Sequence, residues 1–130
     1  MPHHLRHGEH REAPYLAVNP QGLVPALILD DGTMLSQSLA IIEYLDETHP
    51  EPPLLPKDAL GRARVRMLAQ MVACDIHPVN NLRILTSLRT LFAAGDDDVN
   101  NWFRHWVNET FAPLEKLLST SKGTGRFCHG

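Results

Sequence analysis

Hydrophobic and polar positions fall into two regimes along this chain, separated by a stretch that belongs to neither. Before residue 50 the apolar runs are short. Ala26-Leu27-Ile28-Leu29 directly follows Val24-Pro25, and Met34-Leu35 forms a second, shorter run. Short apolar runs bounded by turn residues predict strands. Proline lacks the N–H that a central strand must donate, so Pro25 is expected as the first residue of its strand. Between the runs lies Asp30-Asp31-Gly32-Thr33, whose Asp-Gly step is a strong hairpin signal. Ser36-Gln37-Ser38 then opens a predicted helix with Leu39, Ile42 and Leu45 at spacings of three, broadened by Ala40, Ile41 and Tyr44.

From Lys57 onward the period is helical. Leu60, Val65, Leu68, Met71, Val72 and Ile76 make one apolar stripe. Pro78 is expected to kink this helix, because it removes one backbone bond and presses on the carbonyl four residues earlier. The stripe resumes through Leu82, Leu85, Leu88 and Leu91-Phe92, and Gly95 is expected to end the helix. Asp96-Asp97-Asp98 caps a further helix with Val99, Phe103, Trp106, Val107, Thr110, Phe111, Leu114, Leu117 and Leu118 on its apolar face. Trp102 and His105 lie off that stripe, Pro113 is a candidate bend, and Ser119 to Gly125 reads as a loop. Between the regimes stand Pro50, Pro52, Pro53 and Pro56, four prolines in seven residues, which exclude helix and sheet alike. The expected organisation is a first domain over residues 1–49, a linker over 50–56 and an all-helical domain over 57–130.

Composition narrows the function classes. The 130 residues are 43% hydrophobic, enough for a packed core. A net charge of −3 with a pI near 6.2 gives no basic face for nucleic acid. No apolar run reaches the roughly 20 residues a membrane-spanning helix needs, and no signal peptide is visible. Cys74 and Cys128 lie far apart, without metal or redox spacing, which fits a reducing, cytoplasmic setting. His3, His4, His7 and His10 cluster near the start. On a helix His3 and His7, or His4 and His7, would share a face, but no Cys or carboxylate set closes a metal site there. The alternative is a polar, solvated helix start, which Glu9, Arg11 and Glu12 support, with Tyr15, Leu16 and Val18 docking it on the strands. No metal is assigned. Arg62, Arg64 and Arg66 read as a solvated cationic face or as subunit contacts.

Two clusters carry candidate chemistry. In the first, a cis Val24-Pro25 bond would turn the Val24 backbone outward, leaving its N–H and C=O to pair with an extended peptide ligand. The helix beginning at Ser38 presents unpaired N–H groups at the positive end of its dipole, suited to a carboxylate. The Ser38 hydroxyl and the Gln37 amide add hydrogen bonds there, and one end of a small peptide fits at Ser38 with its middle along Val24. In the second, His77 and Asn81 are i,i+4 neighbours, and Asn80 and Arg83 are i,i+3 neighbours, on two adjacent helix faces around Pro78. The spacing supports binding there, and equally capping and surface polarity around a proline kink.

The stretch Asn19-Pro20-Gln21-Gly22-Leu23-Val24-Pro25-Ala26-Leu27, a hairpin, then Gln37-Ser38 before a helix ending Glu43-Tyr44-Leu45-Asp46, resembles the glutathione half-site of glutathione transferases. Leu54-Leu55-Pro56, Gly61 to Arg66 and above all Asp75-Ile76-His77-Pro78-Val79-Asn80-Asn81-Leu82-Arg83 make the resemblance closest to the zeta class, the maleylacetoacetate and maleylpyruvate isomerases of aromatic catabolism. It implies an α+β fold: a partial thioredoxin-like half followed by an all-α half. It implies glutathione as cofactor, held by Gln21, Val24, Pro25, Gln37 and Ser38, with His77 and Asn81 near it on a kinked helix lining the cleft opposite the Val-Pro strand. Asn80 and Arg83 fall to a small dicarboxylate substrate, Arg83 because its planar fork pairs with a carboxylate through two bonds. The family's chemistry is addition of glutathione thiolate to a cis-enone diacid, rotation about the resulting single bond and elimination to the trans isomer.

Against the family pattern the chain is expected to be truncated at both ends. It starts near the end of the second strand, after the Ser/Cys-rich loop that activates the thiol, so catalytic residues stay unassigned. It stops before a buried helix of the helical half, so an exposed apolar patch is expected on the last two helices. A homodimer is the family's assembly. Two other classes stay open: a non-catalytic, glutathione-transferase-like interaction module, and a histidine-rich metal binder at the start of the chain.

Overall fold

The computed structural model of the chain describes residues 5–130 and divides it into two compact units, the first ending at Leu54 and the second beginning at Leu55. The architecture is α+β, with a two-stranded antiparallel sheet followed by helices.

The first unit opens with two 3-10 turns, Leu5–His7 and Glu9–Arg11, and the four-residue helix α1, Ala13–Leu16. The continuous exposed helix expected here does not form. Gly8 sits between the turns at φ 80, in the left-handed region, and breaks the run. His10 is buried, so it belongs to the interior rather than to a solvated helix start. His3 and His4 lie outside the described residues. Strands β1, Ala26–Ile28, and β2, Met34–Ser36, pair in register, with Ala26 opposite Ser36 and Ile28 opposite Met34. Pro25 precedes β1 rather than starting it, and Ser36 closes β2 rather than opening the next helix.

The turn between the strands closes through Leu29 N–H to the Thr33 carbonyl at 2.9 Å and Gly32 N–H to the Leu29 carbonyl at 2.9 Å. Asp31 Oδ1 accepts from Thr33 N–H at 2.8 Å, a local Asx turn. Hydrogen bonds from the Thr33 backbone and then the Thr33 side chain hold the Asp31 carboxyl below its ordinary value. Helix α2, Ser38–Thr48, packs on β2 and buries Ile41. Ile42 and Leu45, expected on the inward stripe, are 44% and 38% exposed. The apolar face of α2 is therefore centred one residue away from the spacing-of-three reading.

In the second unit Asp58 caps helix α3, Ala59–Gln70, its Oδ1 accepting from Gly61 N–H at 2.8 Å. The helix then runs into a π-helical segment, Met71–Ile76, and the four-residue helix α4, His77–Asn80. Helix α5, Leu82–Phe92, follows, and α6, Asp96–Thr120, runs 25 residues without interruption despite Pro113. Ala93, at φ 53, takes the left-handed cap of α5, so Gly95 does not end that helix. Gly95 instead begins α6, donating its N–H to Asp98 Oδ2 at 2.9 Å. Leu68, Ile76, Val99 and Thr110 are the buried residues around which α6 packs on the π segment, α4 and α5.

Arg64 is not a solvated cation. It is half-buried and donates to Thr124 Oγ1 at 2.8 Å and to the Cys128 carbonyl at 3.1 Å, tying the final loop to α3. Leu91 and Phe92 are 73% and 75% exposed, and Phe103, Phe111 and Leu117 of α6 are also open, the apolar patch expected of these two helices. Among the described residues no helix is long and apolar enough to cross a membrane.

Candidate functional site

The segment leading into β1 is built around Asn19, whose side chain is almost wholly inaccessible at 1% exposure. Its amide works in both directions. Nδ2 donates to the Leu23 carbonyl at 2.7 Å, and Oδ1 accepts from Gln21 N–H at 3.1 Å. The buried Tyr15 adds a second donor to the same carbonyl, at 2.6 Å. Gly22 makes the close turn possible. Its φ is 60, and a Cβ there would meet the His10 carbonyl at 3.3 Å and Leu16 at 3.2 Å. Leu23 is thus held from two sides, and the next residue, Val24, is left open. Val24 is 43% exposed, and neither its N–H nor its C=O pairs with any described residue. The Val24–Pro25 peptide is cis. Gln21 and Pro25 are exposed beside it.

The start of α2 offers a second kind of group. Gln37 is its cap, at φ 72, with no side-chain bond to the helix. A left-handed backbone at a non-glycine residue is costly, on the order of 1 kcal/mol, and concentrates at functional positions. Ser38, the first helical residue, is exposed together with Gln37. The first backbone N–H groups of α2 have no helical partner and point along the positive end of its dipole. This arrangement can accept an anion, with the Ser38 hydroxyl beside it.

The second cluster, His77 to Arg83, differs from its expected geometry. Asn81 leaves the helix, at φ −75 and ψ 162, and so separates α4 from α5. His77 and Asn81 are therefore not stacked on one helix face, nor are Asn80 and Arg83. Asn81 Oδ1 caps α5, accepting from Arg83 N–H at 3.1 Å and Ile84 N–H at 3.3 Å, while Nδ2 donates to the Pro78 carbonyl at 3.0 Å. Asn80 Nδ2 donates to the Phe103 carbonyl at 3.1 Å. The Asn81 amide is thus engaged at both ends, whereas Asn80 is engaged through Nδ2 alone, its buried Oδ1 having no partner among the described residues. The ends left free are the imidazole of His77 and the guanidinium of Arg83, both exposed and without a partner among the described residues. Trp102, off the expected apolar stripe, is half-buried and donates its indole N–H to the Val79 carbonyl at 3.0 Å.

Sequence reasoning missed three side chains that position these groups: Asn19, Tyr15 and Trp102. Asn19 carried a signal, as an Asx residue ahead of Pro-x-Gly. Trp102 carried none, because its partner is a carbonyl freed by a break that periodicity does not show. No group of three His, Cys, Asp or Glu side chains among the described residues is placed to hold a metal ion. Cys74 and Cys128 are both free and exposed.

Comparison with known proteins places these features in a family. A family model described as glutathione S-transferase, N-terminal domain, matches residues 1–53. The chain is 48% identical over 123 residues to the maleylacetoacetate isomerase of Pseudomonas aeruginosa, covering 95% of this chain and 56% of that one. A solved holo structure of a maleylpyruvate isomerase, described as a bacterial glutathione S-transferase in the zeta class, superposes with a TM-score of 0.92 at 48% identity, over 98% of this chain and 59% of that one. The maleylacetoacetate isomerase of Methylobacterium extorquens AM1, solved with malonate and glutathione bound, superposes with a TM-score of 0.96 at 43% identity, over 100% of this chain and 61% of that one. The chain thus spans between 56% and 61% of the length of these relatives. Over residues 1–53 it matches the N-terminal domain of the glutathione S-transferases, and along nearly its whole length it is similar to a zeta-class member.

Proposed function

We propose that this chain serves a glutathione-dependent cis–trans isomerase acting on a maleyl-type keto diacid, maleylacetoacetate or maleylpyruvate. One observation carries the reading: an unpaired, exposed Val24 main chain followed in sequence by a helix start headed by Ser38. A tripeptide thiol such as glutathione fits that pair of features. Its central residue would take the Val24 N–H and C=O as an added strand. A terminal carboxylate would take the first amides of α2, the Ser38 hydroxyl and the Gln37 side chain. Gln21 and Pro25 flank the same stretch. Bound glutathione supplies a thiolate that adds reversibly to the cis double bond.

The groups of this chain then have separable tasks. Val24 and the α2 terminus bind and orient the peptide. His77 offers an exposed imidazole to a polar group of a ligand. Arg83 offers a planar fork to a substrate carboxylate. Because the Asn81 amide and the Asn80 Nδ2 are bonded to backbone, their contribution runs through the placing of His77 and Arg83. The names of the three isomerases, and the malonate and glutathione bound to one of them, support this assignment. The assembly proposed is a homodimer, for which exposed Ile42, Leu91 and Phe92 supply apolar surface, and the compartment is the cytosol, where two free thiols persist.

The test is isomerisation of maleylpyruvate followed by loss of its ultraviolet absorbance, with and without glutathione. Glutathione-dependent turnover, lost in Ser38→Ala, is expected. Turnover that ignores glutathione, or none at all in the presence of both compounds, would overturn the proposal.

A further inference from the structure

The break at Asn81 has a consequence for the carbonyls just before it. In an uninterrupted helix the Val79 carbonyl would accept the N–H of Arg83. Here that N–H goes to Asn81 Oδ1 instead. The Ile84 N–H that would have met Asn80 goes to the Asn81 carbonyl and Oδ1. The Pro78 carbonyl is recovered by Asn81 Nδ2. The Val79 carbonyl is recovered from outside the segment, by the indole N–H of Trp102 at 3.0 Å.

One residue on, Asn80 Nδ2 returns a bond to the Phe103 carbonyl at 3.1 Å. Residues 79–80 and 102–103 are thus joined by two reciprocal side-chain-to-backbone bonds between α4 and α6. Trp102 is itself steadied by an edge-to-face contact with Trp106, centroids 5.8 Å apart. A four-residue helix cannot hold its own direction, since helix nucleation is unfavourable without tertiary contacts.

We propose that Trp102, with Asn80, is a positioning residue for the kinked segment: its indole N–H stands in for the Arg83 amide on Val79, and so sets where His77 and the Arg83 guanidinium are presented. The proposal rests on the reading of Arg83 as the holder of a substrate carboxylate. Neither Trp102 nor Asn80 needs to touch substrate for this role.

The discriminating variant is Trp102→Phe, which keeps an aromatic ring against Trp106 and removes the N–H together with part of the indole. Trp106→Phe is its control, because it makes the same truncation and the Trp106 indole N–H is buried without a partner among the described residues. Two readouts on the full chain separate the possibilities. The first is the amide spectrum by nitrogen-15 NMR. Trp102→Phe should shift and deprotect the amides of residues 77–84 beyond those elsewhere in the chain, and Trp106→Phe should leave them in place. Perturbation no larger at 77–84 than elsewhere would overturn the proposal whatever the activity.

The second readout is calorimetric titration with malonate as a dicarboxylate probe in saturating glutathione. Trp102→Phe should weaken malonate about fivefold, the loss of roughly one hydrogen bond's worth of positioning, and glutathione less, because only His77 of the displaced pair is assigned to it. Arg83→Ala should weaken malonate at least as much. Malonate binding intact in Trp102→Phe but lost in Arg83→Ala would overturn positioning by Trp102. Malonate binding intact in Arg83→Ala would overturn the role of Arg83 instead, while the spectrum still decides whether Trp102 sets the kink.

Discussion

The Asn19–Ser38 stretch and the His77–Arg83 stretch spend their side chains in opposite ways. In the first, buried side chains hold one backbone group so that the next is free. Asn19 and Tyr15 both fasten the Leu23 carbonyl, and the main chain of Val24 is left open beside them. In the second, side chains repair a broken backbone, and what remains free is other side chains. Asn81 and Trp102 absorb the groups released at the kink and Asn80 ties α4 to α6, leaving the ends of His77 and Arg83 in solvent. A main-chain edge and a helix terminus recognise a ligand by its own peptide groups and carboxylates, whatever its side chains. Free imidazole and guanidinium ends recognise a ligand by charge and shape, and single substitutions retune them. Under the proposed function, the first stretch suits a peptide cofactor and the second an acidic substrate.

The comparison breaks most visibly at Asn19. Asn19→Ala removes two bonds from an almost fully buried site and leaves the Leu23 carbonyl with Tyr15 alone. A loss of about 2–3 kcal/mol is expected in urea unfolding, from lost bonds and a buried group left unmet, together with loss of glutathione binding. A variant as stable as the parent would show that Val24 needs no such support.

At the other stretch Asn81→Ala removes the cap of α5, for about 1 kcal/mol, and should weaken malonate more than glutathione. Equal weakening of the two would erase the division of labour.

The turn that aims β2 toward Ser38 adds a smaller, pH-dependent term. The Asp31 carboxyl is more acidic in the folded chain than its ordinary value of 3.8. Its contribution is therefore complete above that value and is lost as pH falls through the lower folded one. Asp31→Asn should remove this acid dependence by lowering the unfolding midpoint slightly at neutral pH, where the contribution is complete, and leaving it nearly unchanged in acid. Unaltered acid dependence would show that the Thr33 bonds do not hold the turn.

Smallest of all is Arg89→Ala, which breaks an ion pair to Asp96 at 2.7 Å whose side chains are 45% and 87% exposed. A few tenths of a kcal/mol is the expected loss, with no effect on either ligand.

How far the sequence reached follows the same division. The hairpin, the helix after Ser38 and the helical second half were legible because apolar period and turn chemistry are local signals. The open main chain at Val24 was legible from Val-Pro ahead of an apolar run. The kink was legible at Pro78, but its form was not: the backbone leaves the helix at Asn81, which turns two apparent i,i+4 and i,i+3 pairs into a cap and a cross-link. Local pattern also misled at Gly95, where Ala93 takes the left-handed position and glycine begins the next helix. It misled at Arg64, whose bonds reach Thr124 and Cys128, about 60 residues on. Charge pattern alone cannot show a partner at that separation.

The most direct test of the division is a calorimetric glutathione titration of the chain beside Ser38→Ala and Arg83→Ala. The prediction is about tenfold weaker binding in Ser38→Ala, the scale of a lost hydrogen bond to a charged group, and parental affinity in Arg83→Ala. Glutathione affinity that survives Ser38→Ala but falls with Arg83→Ala would contradict the account, and would move the peptide from the Val24 edge to the kinked helix.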